Sequence, residues 1–279
     1  MLFKNIGLQV IWALGVSMLV LAGLIHLPAK ATLAFSCIII FGHNLLDNTH
    51  IEGNFLWSLL HERNRFEWAE GHTIVTSYSL FPWIAVMSLG YFFGSMYDSS
   101  FDAKKRQRLW YILGFGCLLL FIILVGINGY GNPEKWINYG FSFKTLMSIL
   151  DVQKYPPSLR FLLVTLGGTF LFLGNTEKIK GKMISFFSIF GRVPFFYYII
   201  HIYLIHLLAL FTAEYIGYGW QSMILPKFVV LVESLKGYGF NLITVYCIWI
   251  SVVLILFPLC KKFDAYKQIH KEKWWLSYL

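Results

Sequence analysis

Residues 109–129 read LWYILGFGCLLLFIILVGING and contain no charged side chain. A helix that crosses a bilayer needs about 20 consecutive and mainly apolar residues, so this run is long enough to span one. The residues just before it include Lys104, Lys105, Arg106 and Arg108. A basic cluster next to an apolar run is typical of a membrane helix whose basic end faces the cytoplasm. The stretch therefore predicts a membrane-spanning helix.

Further apolar runs predict further spans, at residues 6–27, 31–47, 76–96, 158–174, 194–216 and 240–260. The chain is 57% hydrophobic and only 13% charged, whereas a soluble domain carries about 25% charged residues. We therefore predict an all-α fold, a polytopic membrane helix bundle of about seven transmembrane helices. It is expected to form a single transmembrane domain over residues 1–279.

Three connections contain apolar residues at helical spacing, which predicts amphipathic helices on the outer face of the bundle. The runs are Phe55, Leu56, Leu59 and Leu60, then Phe143, Leu146, Met147 and Leu150, then Phe228, Val229, Leu231, Val232 and Leu235. Long ordered connections on one face often carry function. The outer side is therefore the expected place for an acceptor site.

The net charge of +9 comes mainly from short connections on one side of the predicted bundle and from the C-terminal tail. Besides the cluster at 104–108, these residues are Lys178, Lys180, Lys182, Lys261, Lys262, Lys267, Lys271 and Lys273. They form no continuous groove, so we exclude nucleic acid as a partner and expect membrane lipids instead. The positive-inside rule places this side and the C-terminus in the cytoplasm, with the N-terminus outside.

Two polar residues at the end of the second span, His43 and Asp47, are expected to share one helix face because they are four residues apart. A histidine next to a carboxylate is the usual general-base unit, so both are candidate catalytic residues. Asn44 between them is a candidate substrate-binding residue. The alternative interpretation is a polar helix end that caps itself near water.

The sixth span contains two histidines at depth, His201 and His206, in a membrane where ionisable groups are costly. Both are candidate catalytic residues, and Tyr197 lies one turn before His201. Arg192 stands at the start of this span, where a cation could bind the phosphates of a cytoplasmic ligand. The alternatives are neutral imidazoles that bond to a neighbouring helix and an arginine that only anchors the helix end.

Arg160 lies one turn inside the fifth span and needs water, headgroups or a carboxylate such as Asp47 or Glu214. It is a candidate substrate-binding residue. His50, His61 and His72 lie in an outer connection and are expected to be solvated, because their spacing matches no metal site. The four cysteines show no metal-binding spacing either, so no metal is predicted.

Seven motifs along the chain resemble one family. They read GLQVIWALG (7–15), FGHNLLDN (41–48), FPWIAVMSLGYFFG (81–94), INGYG (127–131), KYPPSLRFLLVTLG (154–167), FGRVPFFYYIIHIYLIHLLA (190–209) and WWLSYL (274–279). The chain resembles the bacterial membrane proteins that are grouped with the heparan-α-glucosaminide N-acetyltransferase catalytic domain, in the wider transmembrane acyltransferase superfamily. Members usually begin with about three more helices, so the resemblance implies the C-terminal part of a larger family domain.

The resemblance implies transfer of an acyl group from cytoplasmic acetyl-CoA to a sugar or glycoconjugate acceptor across a bacterial inner membrane. Arg192 and Tyr197 would then hold the donor, His201 would line its channel, and His43 with Asp47 would serve the acceptor. A homodimer is compatible with this prediction. Two other classes stay open: a transporter or flippase of a lipid-linked or sugar substrate, and a non-catalytic assembly partner in the membrane.

Overall fold

A computed structural model describes residues 5–176, 179, 181–225 and 232–278 of the chain. The chain forms two compact units, Met1–Lys178 (unit 1) and Ile179–Leu279 (unit 2). The prediction of a single transmembrane domain stays a prediction. Each unit is described below by itself.

Unit 1 is built mainly from helices. In chain order its elements are β1 (Asn5–Leu8), α1 (Val10–Leu24), α2 (Ala29–Gly42), a 3₁₀ turn (His43–Leu46), α3 (Phe55–Leu60), β2 (Arg65–Ala69), β3 (His72–Thr76), α4 (Leu80–Gly94), a 3₁₀ turn (Ser95–Tyr97), α5 (Ala103–Ile127), α6 (Phe143–Leu150) and α7 (Leu159–Thr176). Unit 2 contains α8 (Lys182–Arg192), α9 (Pro194–Ile216), α10 (Leu242–Ile269) and short 3₁₀ turns at Trp220–Met223, Glu233–Leu235 and Trp274–Tyr278.

Six helical stretches among the described residues are long and apolar enough to cross a membrane. They are Ala29–Leu46, Leu80–Tyr97, Ala103–Ile127, Leu159–Thr176, Pro194–Ile216 and Leu242–Ile269, and Val10–Leu24 is a shorter apolar helix. Each predicted span coincides with one of these seven helices. The prediction of an all-α polytopic membrane bundle is therefore confirmed.

Two of the predicted amphipathic runs form helices, α3 and α6. The four apolar side chains of the predicted run in α6 are exposed, Phe143 at 73% and Met147 at 57% among them, and Ile149 is partly buried. Most of the third run, including Phe228, Val229 and Leu231, lies outside the described residues. The helical form of the first two runs is thus confirmed.

A small sheet was not predicted. β3 is its central strand, paired in parallel with β1 and antiparallel with β2. The sequence indicated a helix from residue 6, but residues 5–8 are extended and α1 begins at Val10. Hydropathy cannot separate a short apolar strand from the helix that follows it, since both are apolar runs.

α5 and α7 pack side by side in opposite directions. Gly114 of α5 faces Gly167 of α7: a methyl group added to Gly114 would lie 2.7 Å from Leu171, and one added to Gly167 would lie 3.2 Å from Cys117 and Leu118. Small residues let two membrane helices approach closely in this way. At one end of the pair the Gln107 amide donates to the Gly174 carbonyl at 2.7 Å.

We expect Gly167→Val to destabilise unit 1 by about 1–3 kcal/mol, because the added side chain has no room against α5. Gly168→Val is the matched control, since no atom lies within 4 Å of a Cβ at Gly168. The midpoint of thermal loss of monodisperse protein in detergent measures both. Equal midpoints for the two variants would contradict the close α5–α7 packing.

Candidate functional site

Three motif segments meet at the first turn of α7. The backbone N–H of Leu159 donates to Asn44 Oδ1 at 2.8 Å, that of Arg160 donates to the Gly131 carbonyl at 2.8 Å, and that of Phe161 donates to Ser158 Oγ at 3.1 Å. The first N–H groups of a helix have no partner inside the helix, so they need such acceptors. The segments FGHNLLDN, INGYG and KYPPSLR therefore form one structural centre.

Arg160 is buried, with 2% of its surface exposed, and holds the end of α5. Its guanidinium donates to the Leu124 carbonyl at 3.0 Å, and its Nε donates to the Tyr130 carbonyl at 3.2 Å. A cation near a helix C-terminus is favourable because it meets the negative end of the helix dipole. These partners are backbone carbonyls, whereas the sequence suggested Asp47 or Glu214.

Asn44 connects the first turn of α7 to an acidic side chain. Its Oδ1 accepts from Leu159, and its Nδ2 donates to Asp47 Oδ2 at 2.8 Å. Asn44 is 7% exposed. The residue predicted to bind substrate therefore sits between the helix cap and the carboxylate, and it orients that carboxylate.

We expect Asn44→Ala to destabilise the protein by about 1–2 kcal/mol, because the buried Leu159 N–H loses its acceptor. Asn48→Ala is the control, since Asn48 is exposed. Thermal midpoints in detergent measure the effect. A midpoint for Asn44→Ala equal to that of Asn48→Ala would show that the cap does not need this side chain.

His43 does not contact Asp47 through a hydrogen bond, contrary to the expected pairing. Its Nε2 lies 2.9 Å from the Pro157 carbonyl oxygen, and its Nδ1 lies 2.9 Å from that of Ile39. Both ring nitrogens therefore face backbone oxygens. The contacts tie the end of α2 to the segment before α7.

The expected His43–Asp47 pairing fails because the α-helix ends at Gly42. Residues His43–Leu46 form a 3₁₀ turn, in which side chains three residues apart align. Asn44 and Asp47 are three apart and pair, whereas His43 and Asp47 are four apart. A shared face at a spacing of four requires the α-helical pitch that this segment lacks.

The histidine that does reach Asp47 is His61, which follows α3. His61 Nε2 lies 3.3 Å from Asp47 Oδ1. The residue is 2% exposed, and its ring centroid lies 5.5 Å from that of Trp57 and 6.4 Å from that of Phe81. The expectation of a solvated loop histidine is therefore wrong for His61, because aromatic rings cover it.

His61 Nδ1 is buried and has no hydrogen-bond partner. An unsatisfied buried polar atom costs about 1–3 kcal/mol, so such atoms are few in folded proteins. A contact to Asp47 fixes one ring nitrogen and leaves the other as a proton acceptor. We call His61 and Asp47 the dyad.

The dyad lines an open cavity of about 480 Å³. The other lining residues are His50, Glu62, Arg63, Asn64, Pro133, Gln153, Tyr155 and Pro156. Most of these side chains are polar, and they come from four separate connections of unit 1. The cavity can therefore hold a polar ligand next to a candidate general base.

Glu62 in this cavity is fully engaged by neighbours. His50 Nδ1 lies 2.9 Å from Oε1, the Trp57 indole donates to Oε1 at 3.0 Å, and the Asn64 amide donates to Oε2 at 3.1 Å. Such a carboxylate is held in place by its donors. Glu62 therefore shapes the wall of the cavity.

Tyr155 lies at the rim of the cavity, with its hydroxyl 3.2 Å from that of Tyr78. The Arg63 guanidinium lies 6.0 Å and the Lys154 ammonium 5.2 Å from the centre of its ring. The hydrogen bond with Tyr78 lowers the pKa of Tyr155, and the charges of Lys154 and Arg63 lower it further. The rim therefore favours negative charge.

Tyr130 lies near Asp47, and its hydroxyl donates to the Phe41 carbonyl. Burial raises the pKa of Tyr130, and the negative charge of Asp47 raises it further. The proximity of Asp47 to Tyr130 links INGYG to the dyad. No group of three or more His, Cys, Asp or Glu side chains placed to hold a metal ion occurs in the described part of the chain.

The other predicted site residues lie in unit 2. His201 stacks on Tyr197 with ring centroids 5.1 Å apart, and its Nδ1 lies 3.1 Å from the Tyr197 carbonyl oxygen. His206 lies on an exposed side of α9. The structure thus joins Tyr197 with His201, and it does not join either to His206. Their catalytic and donor-binding roles stay predictions.

Arg192 forms a two-point ion pair with Asp264. Its Nε donates to Oδ1 at 2.8 Å and its terminal nitrogen to Oδ2 at 2.6 Å, and the carboxylate is 10% exposed. This geometry matches the fork of the guanidinium to both oxygens. The sequence did not suggest Asp264 as a partner. The guanidinium predicted to bind donor phosphates is thus engaged within unit 2.

His61 is the main functional candidate that the sequence did not reveal. It directly follows the apolar run of α3, which is the only local sign that it is covered. Its distance in sequence from Asp47 matches no repeat of a helix or strand. The pairing depends on α3 folding back beside the start of α4, which no spacing rule predicts.

Comparisons with known proteins give one match. Residues 4–113 match the sequence model of the family described as heparan-alpha-glucosaminide N-acetyltransferase, catalytic. The matched part contains Asn44, Asp47 and His61. No curated protein and no solved structure matches the chain. The match supports a relation of this chain to that family, as the resemblance of the motifs implied.

Proposed function

We propose that this relative of the heparan-alpha-glucosaminide N-acetyltransferase family is a membrane-bound acyltransferase whose acceptor site is the dyad cavity. The observation that supports it best is the dyad itself. A histidine whose Nδ1 has no partner lies next to a carboxylate, in a cavity lined by polar residues. Histidine with a carboxylate neighbour is the commonest general-base unit in enzymes.

His61 acts as the base in this proposal. It takes the proton from a hydroxyl or amine of the acceptor while that atom attacks the carbonyl carbon of a thioester. The new bond to the acyl carbon forms, the carbon–sulfur bond breaks, and His61 returns the proton to the leaving thiol. Asp47 stabilises the imidazolium that exists between the two transfers, and Asn44 keeps Asp47 in place.

The acyl donor is acetyl-CoA as a co-substrate, which the family match suggests. Its phosphates need basic residues, and Arg192 already pairs with Asp264. Lys104 and Arg108 line a shallow cavity of about 410 Å³ at the basic end of α5, together with Gln107, Tyr111, Ile112 and Phe115. We propose this cavity as the first docking place for the donor phosphates, from which the acyl-bearing end of the donor must still travel most of the length of α5 to reach His61. This site lies at the end of unit 1 away from the dyad, since α5 runs antiparallel to α7.

The proposed orientation follows the basic residues. The 104–108 end of unit 1 and the C-terminal tail face the cytoplasm of a bacterial inner membrane, and the dyad cavity faces outward. The acceptor is then a sugar or glycoconjugate on the outer side. A tag at the C-terminus that is accessible from outside intact cells would contradict this orientation.

The test is transfer of radiolabelled acetyl from acetyl-CoA to a panel of sugar acceptors by protein in proteoliposomes. Labelled product supports the acyltransferase. Counterflow of a sugar or lipid-linked sugar without acetyl transfer would replace it with a transporter or flippase. Neither activity, in a chain that copurifies with other membrane proteins, would indicate an assembly partner.

A further inference from the structure

We infer that the Arg63 and Lys154 side chains beside the Tyr155 ring form a binding site for an oxyanion of the phosphate class at the rim of the dyad cavity. The inference relies on the proposed function only in taking the bound molecule to be the acceptor. Arg63 and Tyr155 line the same cavity as the dyad. A ligand that bridges the two places would present an anionic group to the rim and its reactive group to His61.

The charges around the cavity support an anion rather than a cation. Both acids that line it are engaged inside the protein: Asp47 by His61 and Asn44, and Glu62 by His50, Trp57 and Asn64. Hydrogen bonds to a carboxylate use its acceptor positions and stabilise its charge. The two acids are therefore poor partners for a cationic ligand.

The two cations differ from the acids in this respect. Arg63 is exposed and contacts the Tyr155 ring, and Lys154 contacts the same ring from the adjacent position. In the part of the chain that the structure describes, no carboxylate lies within ion-pair distance of Arg63 or Lys154. Their positive charge is thus not neutralised locally and is available to a ligand.

Both cations lie within about 6 Å of the centre of the Tyr155 ring. A cation above a tyrosine ring within about 6 Å is attracted by the negative face of the ring. The hydroxyl of Tyr155 is fixed by Tyr78 at the start of α4, so the ring has a defined position. The pKa of Tyr155 is lowered mainly by its hydrogen bond with Tyr78, and the charges of Lys154 and Arg63 add to this effect.

The ligand chemistry that fits is a phosphate or diphosphate ester. Arginine binds phosphate oxygens in a two-pronged manner and lysine binds them as a point charge. Two sources offer this chemistry at a membrane surface: the headgroup of a lipid, including a sugar linked to a lipid through phosphate, and a soluble phosphorylated compound. The site would make acceptors with an anionic group bind more tightly than neutral sugars.

Binding measurements without an acyl donor test the inference. Protein in nanodiscs of zwitterionic lipid is titrated with inorganic diphosphate, and native mass spectrometry counts anionic phospholipids retained by detergent-solubilised protein. The variants are Arg63→Gln/Lys154→Gln and, as the control, Arg65→Gln, an exposed arginine two positions away. We expect the double variant to lose about tenfold or more in one of the two arms, with the control unchanged.

Each outcome is decisive. Loss in the diphosphate arm assigns the site to soluble phosphates, and loss only in the lipid arm assigns it to headgroups. Binding by the double variant equal to that of the unaltered protein in both arms, or no binding by the unaltered protein in either, overturns the inference. Because no thioester is present, failure of acetyl transfer would refute the proposed function and leave this result unaffected.

Discussion

Replacement of His61 by glutamine is expected to lower the rate of acetyl transfer about 10²–10⁴-fold, the usual contribution of a general base. Glutamine keeps a polar side chain of similar reach, but it cannot accept a proton at neutral pH. His61 Nδ1 is the nitrogen of the dyad that has no hydrogen-bond partner, so this change removes the proposed base and leaves the other cavity walls in place. The rate is measured with labelled acetyl-CoA in proteoliposomes.

His72→Gln is the control for this variant, because His72 lies in the same connection on β3 and does not line the cavity. His43→Gln adds a second comparison, since it tests whether the histidine with two carbonyl contacts has a catalytic role. Equal turnover by His61→Gln and the unaltered protein would remove the dyad from the mechanism. A loss limited to His43→Gln would move the base to the position that the sequence suggested.

Replacement of Arg160 by leucine is expected to destabilise unit 1 by about 2–4 kcal/mol, because the carbonyls of Leu124 and Tyr130 lose their donor. The substitution also removes the cation from the C-terminal end of α5. The expected outcome is a large drop in the midpoint of thermal loss of monodisperse protein in detergent. Little protein of this variant should survive purification.

Two further variants separate packing from charge at this position. Arg160→Lys keeps the cation but lacks the planar fork, so its midpoint should lie between those of the leucine variant and the unaltered protein. Arg65→Leu removes an exposed arginine of the same unit and should change little. If Arg160→Leu purifies with an unchanged midpoint but fails to bind acceptor, the role in substrate binding that the sequence suggested is correct.

The spans could be predicted from the sequence because a bilayer imposes one simple requirement, a long apolar run, on every crossing. The run at 109–129 meets it without reference to any other part of the chain. The helices α3 and α6 could also be predicted, since the spacing of three and four between their apolar residues is a local property of the sequence. In each case the physics that selects the structure acts within one segment.

The candidate site could be predicted only in part, because its contacts join distant segments. Asp47 and Asn44 were recognised as polar residues at a membrane helix end, where each is costly. The 3₁₀ turn that redirects Asp47 depends on small differences in backbone hydrogen bonding that residue types do not determine. His61 owes its burial to Trp57 and Phe81, and the sequence does not show which rings will cover a loop residue.

The acceptors at the start of α7 have a consequence for the order of assembly. Asn44, Gly131 and Ser158 all precede the helix whose first N–H groups they receive. A chain made from its N-terminus presents these acceptors before α7 leaves the ribosome. The helix can therefore be anchored as soon as it enters the membrane, and a nascent chain stalled once α7 has fully left the ribosome should already carry a complete cap.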